Sequence, residues 1–115
     1  MSIRFLMLKS GEDLISIIHE MLVDGKVVGY YLKKPCVIEM QNARKHSDDE
    51  TRTSIDIRLI PWIALSKSDV IPVPADWVVT IVEPIDKLVD MYKAEVLQDG
   101  QDTDTPEQSG DNIKN

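Results

Sequence analysis

Cysteine is nearly absent from this 115-residue chain. The single one, Cys36, has no partner for an internal disulfide and none for a zinc knuckle, which points to a reducing compartment. Long apolar runs are absent too. The longest, Leu59 to Leu65, is far too short to span a bilayer, and Met1-Ser2-Ile3-Arg4 leads into a short apolar strand without a signal-peptide core. A soluble, cytoplasmic protein is the expectation. Basic residues are the minority, 13 Lys and Arg against 20 Asp and Glu, for a net charge of −7 and a pI near 4.7. General affinity for nucleic acid or anionic membrane rests on basic surface, so neither is favoured by the total. The excess is uneven, however. Asp99, Asp102, Asp104, Glu107 and Asp111 face one base, Lys114, so 99–115 carries −4 and leaves −3 for the body, close enough to neutral for basic patches.

Catalytic signatures are also missing, and the chain is read as a non-enzyme without cofactor or metal. His19 lies in an apolar run and His46 in a polar loop, and no local pattern sets a nucleophile beside a base with an orienting acid behind it. Structural or solvent roles are the simpler reading of both. Cys36, directly after Pro35, reads as a small buried hydrophobe, with a thiol activated by Lys33 and Lys34 as the alternative. Asp48-Asp49-Glu50 sets hard oxygen donors in a row. Consecutive acids do not all converge on one ion, and the calcium-loop spacing with its central glycine is missing, so a solvated charge run is expected.

What the chain does have is strand patterning. Thr53 to Leu65 reads as a strand of two characters. Ile55, Ile57 and Leu59 alternate with Ser54, Asp56 and Arg58, the pattern of a half-buried strand; from Leu59 to Leu65 the alternation gives way to apolar residues crowding around Pro61. Proline has no N–H for a ladder, so this second half belongs at a sheet edge or bend. A bare apolar edge aggregates, which leads to a bent sheet completed by another copy of itself. Leu59, Ile60, Trp62 and Ile63, with Trp77 and Val79, are the candidate interface residues. For Trp62 and Trp77, core or subunit interface is preferred over a stacking platform.

In chain order, Ile3 to Leu8 is a short strand closed by the Gly11 turn, and Asp13 to Leu22 is read as a second strand on its β-branched content, although a helical stripe also fits. Asp24-Gly25 makes a two-residue hairpin turn. Val27 to Leu32 is extended, Lys33-Lys34-Pro35 breaks it, and Cys36 to Met40 resumes as a strand. Gln41 to Arg52 is a polar loop. Pro72 and Pro74 permit only an edge or a turn. Trp77 to Val82, apolar at almost every position, reads as a central strand covered on both faces. Pro84 opens a helix to about residue 98, with Ile85, Leu88, Val89, Tyr92 and Val96 on one stripe. Domain 1–98 is followed by a tail, 99–115, without periodicity and expected to be disordered.

Lys33 and Lys34 follow Tyr30 and Tyr31. Ammonium groups for phosphates beside aromatic faces for bases suit single-stranded nucleic acid; a charged turn with the tyrosines packed beneath it is the plainer reading. The order of elements resembles the small five-stranded, strongly bent antiparallel barrel, SH3-like in form, of the Sm and LSm family with its Hfq relatives. It is closer still to small Sm-like proteins of phage and marine metagenomic origin. The resemblance covers about Ile3 to Val82. Leu8-Lys9-Ser10-Gly11 stands at the family's Leu-x-x-Gly turn, Leu32 to Ile38 where an Asp-x-x-x-Asn loop enters strand three, and Pro74-Ala75-Asp76 where Arg-Gly or Lys-Gly precedes strand five. The Asn and Arg that cradle uracil have no counterpart, and the helix falls after the barrel instead of before it. The resemblance implies a homo-oligomeric ring of about five to seven copies, strand four of one pairing strand five of the next. It implies single-stranded RNA at a pore-side loop, with Tyr30, Tyr31, Lys33, Lys34 and Asp76 as candidate contacts, in phage RNA processing or regulation within the host cytoplasm. A β-barrel module that binds proteins and no nucleic acid is the alternative.

Overall fold

The structure, a computed structural model, describes residues 2–42 and 55–97. The proposed charge run 48–50, His46 and the tail 99–115 lie outside the described residues. The chain divides into two compact units, Met1–Val82 and Glu83–Asn115.

The first unit is an antiparallel sheet of six strands: β1 (Ser2–Leu8), β2 (Asp13–Val23), β3 (Lys26–Asn42), β4 (Ile55–Pro61), β5 (Val70–Pro74) and β6 (Val78–Val82), with a 3₁₀ turn at Ala75–Trp77. Its order is β4-β3-β2-β1-β6, and β5 also pairs with β3. No pairing among the described residues joins β6 back to β4 or β5, so the sheet is not closed. Asp13–Val23 is strand, as its β-branched residues argue. Asp24 and Gly25 adopt φ of 52° and 77°, the left-handed pair a two-residue hairpin requires.

Four expectations are corrected. Lys33-Lys34-Pro35 does not end a strand: β3 runs through it for 17 residues. The ladder absorbs the segment as a bulge, because Ile15 pairs with Cys36 and Ile17 with Lys33, leaving Lys34 and Pro35 opposite Ser16 alone. Lys34 sits at φ 53°, and the buried Ser16 hydroxyl donates to the Lys33 carbonyl at 3.0 Å. Second, the strand expected over Thr53 to Leu65 stops at Pro61, and 62–65 form a turn. The backbone leaves the ladder there, so the apolar residues Trp62 to Leu65 are not an edge strand. Third, Val70–Pro74 is a strand of its own, making six strands where five were expected. It tolerates Pro72 and Pro74 because, among the described residues, it has β3 on one side and no strand on the other. Fourth, Trp77 to Val82 is not a central strand. Trp77 closes the 3₁₀ turn, and among the described residues β6 pairs with β1 alone, with Val79 and Val82 largely exposed.

The bulge also explains how β3 holds two neighbours on one side. Its first half, Gly29 to Lys33, pairs with β5, and its second half, Cys36 to Asn42, pairs with β4. The connection 62–69 passes the bulge between them. It is fastened at both ends: the Trp62 N–H donates to the Pro35 carbonyl at 2.9 Å and the Lys34 N–H to the Asp69 carbonyl at 2.7 Å. A core cluster on the sheet's inner face is formed by Leu6, Leu8, Leu14, Leu32 and Val73, with Ile18, Tyr30, Val37, Trp62, Val78 and Ile81 against it. On the opposite face Ile15, Ile17 and Cys36 are buried as well.

In the second unit, helix α1 (Asp86–Tyr92) starts two residues after Pro84 and continues as one π-helical turn, Lys93–Leu97. Ile85 caps it with its carbonyl, which accepts from Leu88 and Val89 at 3.0 and 3.1 Å. Leu88 and Tyr92 of the expected stripe are buried and Ile85 is exposed.

Candidate functional site

Alternation along β3 decides what its polar residues can do together. Tyr30 and Leu32 share the inner face with the core, whereas Tyr31 and Lys33, two residues apart, share the outer one. Tyr31 and Lys33 are exposed; Tyr30 is half-buried. The structure therefore separates the two tyrosines, and it carries four of the five candidate residues, Tyr30, Tyr31, Lys33 and Lys34, on a strand instead of a loop. Lys34 stands at the bulge, half-buried. Asp76 is exposed in the 3₁₀ turn. Across the ladder His19 is opposite Tyr31, and Ile17 is opposite Lys33. The outer face of β2 and β3 thus lines up an imidazole, a phenol ring and an ammonium group.

The candidate interface residues divide as well. Leu59 and Ile60 are half-buried on β4. Trp62 is half-buried against the core, and its indole Nε1–H donates to Glu12 Oε2 at 3.3 Å. Glu12 in turn accepts from the Ser10 hydroxyl at 2.8 Å, which ties the β1–β2 turn to the segment after β4. Ile63, Trp77 and Val79 are the exposed members, Val79 at 60%. Val79 protrudes because the β1–β6 register shifts at that point: Met7 pairs with Thr80 and Leu8 with Val78.

Among the described residues no cluster of three His, Cys, Asp or Glu side chains is placed to hold a metal ion. No described helix is long and apolar enough to cross a membrane. Cys36 is buried with its thiol 3.9 Å from the Lys34 carbonyl, a weak contact consistent with a small packed side chain.

Sequence reasoning passed over Arg4 and Glu20, which line a cleft on the inner face beside Tyr30. A signal was available. Ser2, Arg4, Leu6 and Leu8 share one face of β1, so an arginine stands in line with two core leucines. No protein-family model matches the chain, and no curated protein matches it.

Proposed function

We propose that the chain is a ring-forming, Sm-like RNA-binding protein. In it β6 of one copy pairs with β4 of the next, closing the open sheet into a continuous barrel wall, and single-stranded RNA runs over the outer face that carries Tyr31 and Lys33. The observation that carries this reading is β6 itself: an edge strand with no proline, one neighbour among the described residues, Val79 and Val82 exposed along it, and Trp77 exposed in the turn that leads into it. Such a margin pairs readily with another strand. β5 is a poorer acceptor of a neighbour. Its ladder to β3 needs inward N–H groups, so the missing ones of Pro72 and Pro74, two residues apart, fall on the outward side. β4 is left as the margin complementary to β6, and a head-to-tail contact between unlike margins generates a ring when its rotation closes.

For RNA, the support is the row of His19, Tyr31 and Lys33, aromatic surface for bases beside an ammonium group for phosphates. Repetition around a ring concentrates that charge despite the net −7 of each chain. The test is retention of short oligo(U) and oligo(A) across a salt series. Binding should weaken with salt and fall in Lys33→Ala/Lys34→Ala; no retention of either oligonucleotide at low salt would overturn the RNA reading.

The second reading, a protein-binding module, is favoured by one observation. Leu22, Val23, Val27 and Val28 are all exposed at the β2–β3 hairpin end, an apolar surface that phosphates do not require. It predicts indifference to RNA and a co-purifying protein.

A further inference from the structure

We propose that the inner-face cleft at the open end of the sheet binds a nucleotide with an amino-bearing base: phosphate on Arg4, base against Tyr30, amine on Glu20. This rests neither on RNA binding by the outer face nor on assembly. The cleft measures about 470 Å³, within the size range of small-molecule sites. Its floor continues the core: Ile18, Ile81 and the Tyr30 ring are half-buried there, all on the face that carries Leu6, Leu14 and Leu32. Its polar lining is Ser2, Arg4, His19 and Glu20.

Arg4 is the reason to expect an anion. Its guanidinium is half-buried and donates to the Ile3 carbonyl at 3.1 Å, and among the described residues no carboxylate pairs with it. A guanidinium has five N–H donors in a fixed fork that matches phosphate or carboxylate. Glu20 supplies the opposite charge directly across the ladder from Tyr30, so an amine on a ring stacked over Tyr30 comes within its reach.

The spacing decides between ligand classes. Arg4 is opposite Ser16, and Glu20 lies four residues further along β2, a backbone separation of about 13 Å at the rise of a strand. A free amino acid would need both side chains drawn fully together to meet both groups. A nucleotide, with phosphate and base amine at opposite ends of a ribose, spans the interval after the two side chains lean inward, and its flat middle suits the Ile18, Ile81 and Tyr30 floor.

The experiment is a titration of the full chain with AMP followed by NMR. A parallel titration uses purine riboside 5′-monophosphate, which lacks the amine, and a third uses a 5′-phosphorylated oligoadenylate. Saturable shifts at Tyr30, Ile18 and Ile81 are expected, about tenfold or more weaker in Arg4→Gln and unchanged in Lys67→Ala. AMP should bind more tightly than the amine-free analogue, and Glu20→Gln should narrow that gap. Binding of AMP assigns the cleft to free nucleotides; binding of the oligoadenylate alone assigns it to a chain terminus. No saturable shift with any of the three, or shifts that Arg4→Gln leaves intact, would overturn the proposal, whatever the outer face does with RNA.

Discussion

The backbone N–H of Lys34 donates to the carbonyl of Asp69 at 2.7 Å, while Lys34 itself sits at φ 53°. A left-handed residue in mid-strand is thus held against the segment that carries the chain from β4 to β5. The bulge and that segment depend on each other. If Lys34 were forced to extended geometry, β3 would lose the offset that lets two strands share its one side.

Substitution at Lys34 tests this directly. A β-branched side chain is strained at positive φ, so Lys34→Val should lose about 2 kcal/mol in urea denaturation, whereas Lys34→Asn, suited to the left-handed region, should lose much less. Equal losses would mean that the bulge is not what sets stability here.

Gly29 makes a second steric prediction. A Cβ added there would lie 2.7 Å from the Val73 carbonyl, which is backbone and cannot swing aside. Gly29→Ala should therefore push β5 off β3 and cost about 1–3 kcal/mol, with faster amide exchange across β5. Wild-type stability would show that β5 does not approach so closely.

The indole of Trp62 and the carboxylate of Glu12 are 50 residues apart in sequence and 3.3 Å apart in space. A double-mutant cycle of Glu12→Ala and Trp62→Phe should return a coupling of about 0.5–1.5 kcal/mol. Additive losses would reduce the contact to coincidence.

The acidic segment 99–115 offers an electrostatic test of the RNA reading. On that reading its charge of −4 would compete with phosphates for Lys33 and Lys34, so deleting it should tighten binding, most at low salt. Unchanged affinity would dispose of that competition.

Local signals in the sequence were sound where a short stretch decides the outcome alone. Asp24-Gly25 dictates its turn through backbone freedom, and Ile15, Ile17 and Ile18 favour strand through β-branching. Position within the sheet was not legible. Trp77 to Val82 has the composition of a central strand, yet it lies at the margin because strand order depends on pairings far apart in sequence. Pro35 misled for a related reason: a proline ends a ladder unless its neighbour absorbs the offset, and Lys34 gives no hint of that in its side chain. The cleft was missed because Arg4 reads as an ordinary surface charge until β1 is given a face.

An edge substitution should separate assembly from folding. Val79 is exposed and protrudes from β6, so Val79→Lys leaves the core intact while setting a charge on the margin. The variant should retain its circular dichroism and lose its association.

Sedimentation of the wild-type chain at micromolar concentration tests the central claim most directly. The account predicts one closed species of several copies of the 13.0 kDa chain, collapsing to single chains in Val79→Lys. A wild-type chain that sediments only as a monomer would contradict it, because β6 would then keep its exposed margin without a neighbour.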